Sequence, residues 1–211
     1  SDIIQAYCAG SCSQNCTEDN SGLLSPPNNS FIRSVHVPFE WTQIPNATSY
    51  QLQFTNSYSD NFFESELILD IVLDDIVYID TESLGWDSDY WWRIRPLYQD
   101  NQFGEWSEVF TFTIGEKKFP ERDAIVYNEN IFQDGLVAFG GFAGTQETNL
   151  ASGVIDKYGN EIWNDGYLDF ILNHINESGN IYGLSGFNWP LNTGTKISWT
   201  HDFGPNFLWS A

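Results

Sequence analysis

Strict alternation of residue character constrains this chain more than any other feature. In Tyr90-Trp91-Trp92-Arg93-Ile94-Arg95-Pro96, the residues Tyr90, Trp92, Ile94 and Pro96 share one side, and Trp91, Arg93 and Arg95 the other. Successive side chains of an extended strand point to opposite faces, so such a run is a strand with one buried face. The same period runs through Val35, Val37, Phe39 and Trp41, and through Tyr50, Leu52 and Phe54 against Ser49, Gln51, Gln53 and Thr55. Leu67–Leu73 and Ile76–Ile79 are β-branched runs broken by Asp74-Asp75, and Val109–Ile114 closes the series. No window carries a helical stripe. The chain is expected to be all-β, and strands this closely spaced between Leu24 and Ile114 predict a two-sheet sandwich.

The apolar material for such a fold is aromatic: nine Trp, ten Tyr and sixteen Phe among 211 residues. That content is the opposite of the disordered signature. Eight Lys plus Arg against 29 Asp plus Glu leave a net charge of −21. Such a surplus repels phosphate backbones and anionic head groups, which argues against nucleic-acid binding and electrostatic membrane binding. No stretch reaches the ~18 consecutive apolar residues of a membrane span, so no transmembrane segment is expected. The sequence contains no Met, which leads one to expect a mature or excised product.

The three cysteines, Cys8, Cys12 and Cys16, lie close together near the start. Three readings stay open for them: a local disulfide with one cysteine left over, free thiols, or a thiolate metal site. The metal reading is the weakest, because His36, His174 and His201 are scattered and Glu18 and Asp19 are poor company for soft ligands. Asn15, Asn28, Asn46 and Asn176 each head an Asn-x-Ser/Thr triplet. About three such triplets arise by chance in a chain this rich in Ser and Thr, so Asn28, Asn46 and Asn176 are only candidates for glycosylation. Acidity, scarce Lys and abundant Asn, Ser and Thr favour a secreted or cell-surface protein.

Several landmarks carry a family likeness. Phe39-Glu40-Trp41 is followed by Asn46-Ala47-Thr48-Ser49-Tyr50-Gln51-Leu52, then by Leu84-Gly85-Trp86-Asp87-Ser88-Asp89-Tyr90. Trp92-Arg93-Ile94-Arg95 and Gly104-Glu105-Trp106-Ser107 complete the series. Together they resemble a fibronectin type III domain over about 90 residues. Trp86 stands where that family has Pro and Ser88 where it has Thr, so the spacing of the tyrosine corner is kept better than its identities. The resemblance implies a two-sheet sandwich in which the Tyr90 hydroxyl ties back to nearby backbone. It says little about ligand.

Gly115–Asp123 holds three of the eight basic residues with Gly and Pro, and reads as a linker. Beyond it an internal repeat appears. Tyr158-Gly159 and Phe203-Gly204 are 45 apart, each before an aromatic run, Glu161-Ile162-Trp163 or Asn206-Phe207-Leu208-Trp209. Asp134–Gly141 likewise parallels Ser178–Ser185. A period near 45 with several strands per unit is the spacing of propeller blades. Gly153–Trp163 and Ile171–Ile181 resemble the opening hairpins of arylsulfotransferase-type β-propellers. The expected organisation is a Cys-containing segment at residues 1–23, a fibronectin type III-like sandwich at 24–114, a linker at 115–123, and about two four-stranded antiparallel blades of an incomplete propeller at 124–211. Two blades do not close a ring, so the remainder of the polypeptide or neighbouring subunits would complete it.

Chemistry is sparse. The sulfotransferase likeness implies a histidine that carries a sulfuryl group, and His174 is the weak catalytic candidate. Such a group needs cations around the sulfonate oxygens, yet only Lys157 and Lys196 follow Arg122. His201 neighbours Asp202, but adjacent strand residues face opposite ways. His36 is expected to face outward between Val35 and Val37. Asp74/Asp75 and Asp87/Asp89 lack the spacing of a calcium loop, and no nucleotide or hydrolase motif occurs. No cofactor is expected. Trp86, Trp91, Trp106 and Trp189 form a candidate aromatic surface for carbohydrate or protein partners. The leading expectation is a non-catalytic module for adhesion or assembly. The alternatives are the leading part of a sulfotransferase-like enzyme with its catalytic blades beyond Ala211, and a subunit of a surface filament.

Overall fold

In the computed structural model the alternating runs become sheet strands. It describes residues 22–57, 66–119, 125, 128, 135–143, 149–166, 170–176, 181–188, 193–200 and 204–210. Every regular element among them is a strand, in four sheets of which none is closed. The all-β expectation therefore holds.

The first half contributes β1 (Leu23–Ser25), β2 (Ser30–Ile32), β3 (Val37–Trp41), β4 (Ala47–Thr55), β5 (Leu69–Leu73), β6 (Val77–Asp80), β7 (Ser88–Tyr98) and β8 (Phe110–Ile114). They form one sheet in the order β1-β3-β6 and another in the order β2-β8-β7-β4-β5. Neighbours are antiparallel except β2, which runs parallel to β8. Asp74-Asp75 lies between β5 and β6 and carries the chain from one sheet to the other.

One buried cluster joins these two sheets. Val37, Phe39 and Trp41 of β3 meet Leu52 and Phe54 of β4, Trp92 of β7 and Phe112 of β8. The Phe39 ring lies 5.2 Å from Phe54, 5.2 Å from Trp92 and 5.9 Å from Phe112. Each such ring contributes about 1.5–3 kcal/mol through burial alone. Tyr90 packs here too, and its hydroxyl accepts the Gly85 N–H at 2.7 Å, the backward tie expected of the corner. The entry to β4 is a turn in which Ala47 N–H donates to the Ile44 carbonyl at 3.2 Å. Asn46 there has φ 65°, and Pro45-Asn46 supplies the fixed and left-handed positions of a type II turn.

The second half contributes β9 (Val137–Ala143), β10 (Asn149–Ile155), β11 (Glu161–Asn164), β12 (Phe170–Ile175), β13 (Ile181–Asn188), β14 (Thr193–Thr200) and β15 (Gly204–Ser210). They make two antiparallel meanders, β11-β10-β9 and β12-β13-β14-β15. The β10–β11 turn is locked by Asp156, whose Oδ1 accepts the N–H groups of Tyr158 and Asn160, both at 2.8 Å. Partial burial works to raise the Asp156 carboxyl, but bonds from the Asn160 side chain and from the Asn160, Tyr158 and Gly159 backbones outweigh it and hold it below its ordinary value. Strand β12 lies against β9 and β10. A Cβ on Gly140 would sit 2.7 Å from the Leu172 backbone nitrogen, so glycine is what lets these strands approach.

One expected strand is shorter than its alternation. Val35 and His36 precede β3 rather than extending it. The chain at Ser34 instead pairs with Trp163 on the outer side of β11. Val35 N–H donates to the Ile162 carbonyl at 3.0 Å, and Asn164 N–H donates to the Arg33 carbonyl at 3.2 Å. The first half thus lends the three-stranded meander a short fourth strand.

Candidate functional site

Among the described residues, two places gather polar and aromatic side chains: the outer face of the five-stranded sheet, and the junction between the two halves. The first follows from alternation. Gln51 and Gln53 of β4 and Arg93 and Arg95 of β7 point away from the core in register, Gln51 opposite Arg95 and Gln53 opposite Arg93. Arg93 donates to Gln53 Oε1 at 2.8 Å and Arg95 to Gln51 Oε1 at 2.7 Å. Both glutamine amides donate in turn to the Asp70 carboxylate on β5, at 2.5 and 3.0 Å. Trp106 closes over this row, with the Arg93 guanidinium 3.9 Å and the Arg95 guanidinium 4.4 Å from its ring centroid. Phe103 stacks on Arg95 at 3.8 Å. Burial, and the charge of Arg95 beside it, pull the Arg93 pKa down, against the opposing pull of Asp70.

This ladder has a consequence that alternation hides. The outward residues Ser49, Gln51, Gln53 and Thr55 are all buried, because flanking side chains roof them over. Trp106 is therefore half-buried as part of that arrangement. Trp91 shares the outer face and is also half-buried. Trp86 packs at the edge of the main core and donates its indole N–H to the Glu161 carbonyl at 3.2 Å. Trp91 and Trp106 thus lie on the outer face, Trp86 lies at the core edge, and Trp189 lies outside the described residues.

At the junction, the borrowed strand is reinforced by a buried polar clasp. The Glu161 carboxylate, 4% exposed, accepts Lys118 N–H at 2.9 Å and Phe119 N–H at 2.7 Å. Asn164 donates its amide to Glu161 at 2.6 Å and to the Glu116 carbonyl at 3.0 Å. Lys118 Nζ pairs with the fully buried Asp165 at 2.5 Å. Phe119 seats its ring against Phe139, with centroids 5.1 Å apart. Residues 116–119, expected as linker, are thus bonded into the second half. Beside the clasp lies a cavity of about 370 Å³, lined by Phe31, Arg33, Thr113, Lys117 and Asn164 among others. Its wall also carries Asp87 and Glu116, so cations and carboxylates mix rather than converge on one anion.

The remaining candidates among the described residues are scattered. His174 is exposed on β12, its ring stacked on Tyr182 at 6.2 Å. His36 is half-buried instead of facing open solvent, and burial lowers its pKa despite the carboxylates of Asp156 and Asp80. Asn28 is exposed, with its amide oxygen accepting Thr111 N–H at 3.1 Å; Asn46 is exposed in its turn; Asn176 is half-buried and donates to the Tyr182 hydroxyl at 3.4 Å. Cys8, Cys12, Cys16, Asn15 and His201 lie outside the described residues. Asp74 and Asp75 are exposed, and Asp89 accepts the Thr113 hydroxyl at 2.5 Å. Among the described residues, no three His, Cys, Asp or Glu side chains are grouped to hold a metal ion. No described helix is long and apolar enough to cross a membrane.

The sequence gives no sign of the clasp beyond Glu161, Asn164 and Asp165 lying within five positions of an otherwise aromatic strand. Compared with family models and with curated proteins, the chain matches none.

Proposed function

We propose that this chain is a non-catalytic module of a secreted or cell-surface protein, acting in adhesion or assembly through protein or carbohydrate partners. The observation that carries the reading is the set of open sheets: among the described residues β5 and β6 each end a sheet in the first half, with Val72, Val77 and Ile79 exposed along them. Open edges and exposed apolar residues are surfaces on which other chains assemble. The two facing sheets, their shared aromatic core and the Tyr90 tie support a fibronectin type III-like sandwich for residues 24–114. The consecutive meander β12-β13-β14-β15 supports blade-like units in the second half, completed by further polypeptide or neighbouring subunits.

Binding of the intact chain to arrays of glycans and of cell-surface proteins tests this. Saturable binding to a defined partner is expected, and no binding on either array refutes the reading.

The same meander, stacked on β9 and β10, favours a second reading: the leading part of an arylsulfotransferase-like enzyme. On that reading the intact precursor carries at least three more repeats of about 45 residues, with His and Arg facing their axis. A precursor lacking them removes it.

A further inference from the structure

The free side of β6 combines features that sheet edges ordinarily avoid. β6 pairs with β3 on one side, and among the described residues no strand pairs with it on the other. Trp41 N–H donates to the Ile76 carbonyl at 3.1 Å, which sets the phase of the ladder. Hydrogen-bonded positions alternate in an antiparallel pair, so Tyr78 and Asp80 turn their amides to β3 while Val77 and Ile79 turn theirs to the open side. These two residues are also apolar and exposed, Val77 by 40% and Ile79 by 58%.

Natural edges are protected by lysines, proline, a bulge or a covering segment. The β3–β6 register runs without a bulge, β6 contains no proline, and no Lys or Arg occurs between Arg33 and Arg93. The surroundings are acidic instead. Asp74, Asp75 and Glu82 are exposed at the two ends of β6, and Glu40 lies opposite Val77. A second copy of the chain offering its own β6 would meet like charges, and each copy carries −21.

We propose that β6 is a docking edge for an extended segment of a partner protein in which apolar and basic residues alternate. This rests on the binding-module reading above and names its surface and partner. Main-chain bonds to Val77 and Ile79 hold the added strand, its apolar side chains cover those two residues, and its cations meet Asp74, Asp75 and Glu82.

The test uses the intact chain and a synthetic peptide of alternating Lys and Val as probe, read by fluorescence anisotropy and amide hydrogen exchange. Peptide binding slows exchange at Val77 and Ile79. Ile79→Lys and Val77→Lys, both at exposed positions, each weaken binding by about tenfold or more, through a like charge set against the incoming strand. Peptide methylated on every backbone nitrogen, and a Glu–Val peptide, do not bind.

Unchanged exchange at Val77 and Ile79 under saturating peptide overturns the proposal. So does equal binding of the methylated peptide, which would mean charge attraction without strand pairing. So does undiminished binding by Ile79→Lys, with Tyr78 amide protection reporting that the variant is folded. Dimerisation through β6 in sedimentation overturns the choice of partner. If partners from the arrays bind Ile79→Lys as well as the parent, the module reading stands and the assignment of β6 falls. If the arrays give no partner while the peptide still docks, the module reading falls and the edge stands.

Discussion

Replacing Glu161 by Gln keeps size and shape while changing one acceptor oxygen into a donor. In the native clasp one carboxylate oxygen serves Lys118 N–H and the Asn164 amide, and the other serves Phe119 N–H. A glutamine can place its carbonyl at only one of these positions. The milder choice points its NH2 group at Phe119 N–H, so that donor loses its carboxylate acceptor at a residue 9% exposed. An unsatisfied buried donor costs about 1–3 kcal/mol, and the retained bonds weaken because the acceptor is no longer charged. The expected loss is ~2 kcal/mol, roughly a 30-fold rise in opening of the junction. Amide exchange at Lys118 and Phe119 measures this locally, and denaturant unfolding measures it globally. Exchange at Tyr90, in the far core, serves as the control. Should Glu161→Gln leave the Phe119 amide as protected as in the parent, the clasp is not what holds residues 116–119, and the reasoning fails.

Two further changes probe other parts of the fold. Trp106→Ala removes the ring on which Arg93 and Arg95 stack, at 3.9 and 4.4 Å, and should lower stability by about 1–2 kcal/mol in urea unfolding; an unchanged midpoint would show the stack to be incidental. His36 has a folded pKa below its ordinary value of 6.5, so the unfolded chain binds the proton more readily. Its share of stability is present above pH 6.5 and is lost as the pH falls from there toward the lower folded value. His36→Asn should flatten the stability profile between pH 7 and 5, and parallel profiles for the two proteins would contradict this.

Alternation made the strands of the first half legible, because each buries one side of a period-two pattern. It located β3, β4, β7 and β8 to within a few residues. It misread Val35 because apolar spacing does not say which sheet a residue pairs with; its N–H bonds to Ile162 rather than continuing β3. It set Gln51 and Gln53 on the face opposite the core without showing that they are buried, because a single strand carries no record of what lies across it. Their burial depends on Arg93, Arg95 and Trp106, brought over them by register and by the loop between β7 and β8. Glu161 was equally hidden. All four residues of β11 are buried, so polar and apolar positions there do not sort into inner and outer faces. Besides Asn164, the partners of the Glu161 carboxylate are main-chain amides more than 40 positions away, which no local pattern encodes.

The borrowed strand at Arg33–Val35 also bears on how this protein can be rearranged by recombination. A graft of the second half onto an unrelated neighbour, cut anywhere after Val35, would arrive without the residues that sheathe β11. The recipient would have to supply a short extended stretch of its own, or the graft would recruit one from whatever protein lay nearest. In heredity, then, the two halves travel best as a pair.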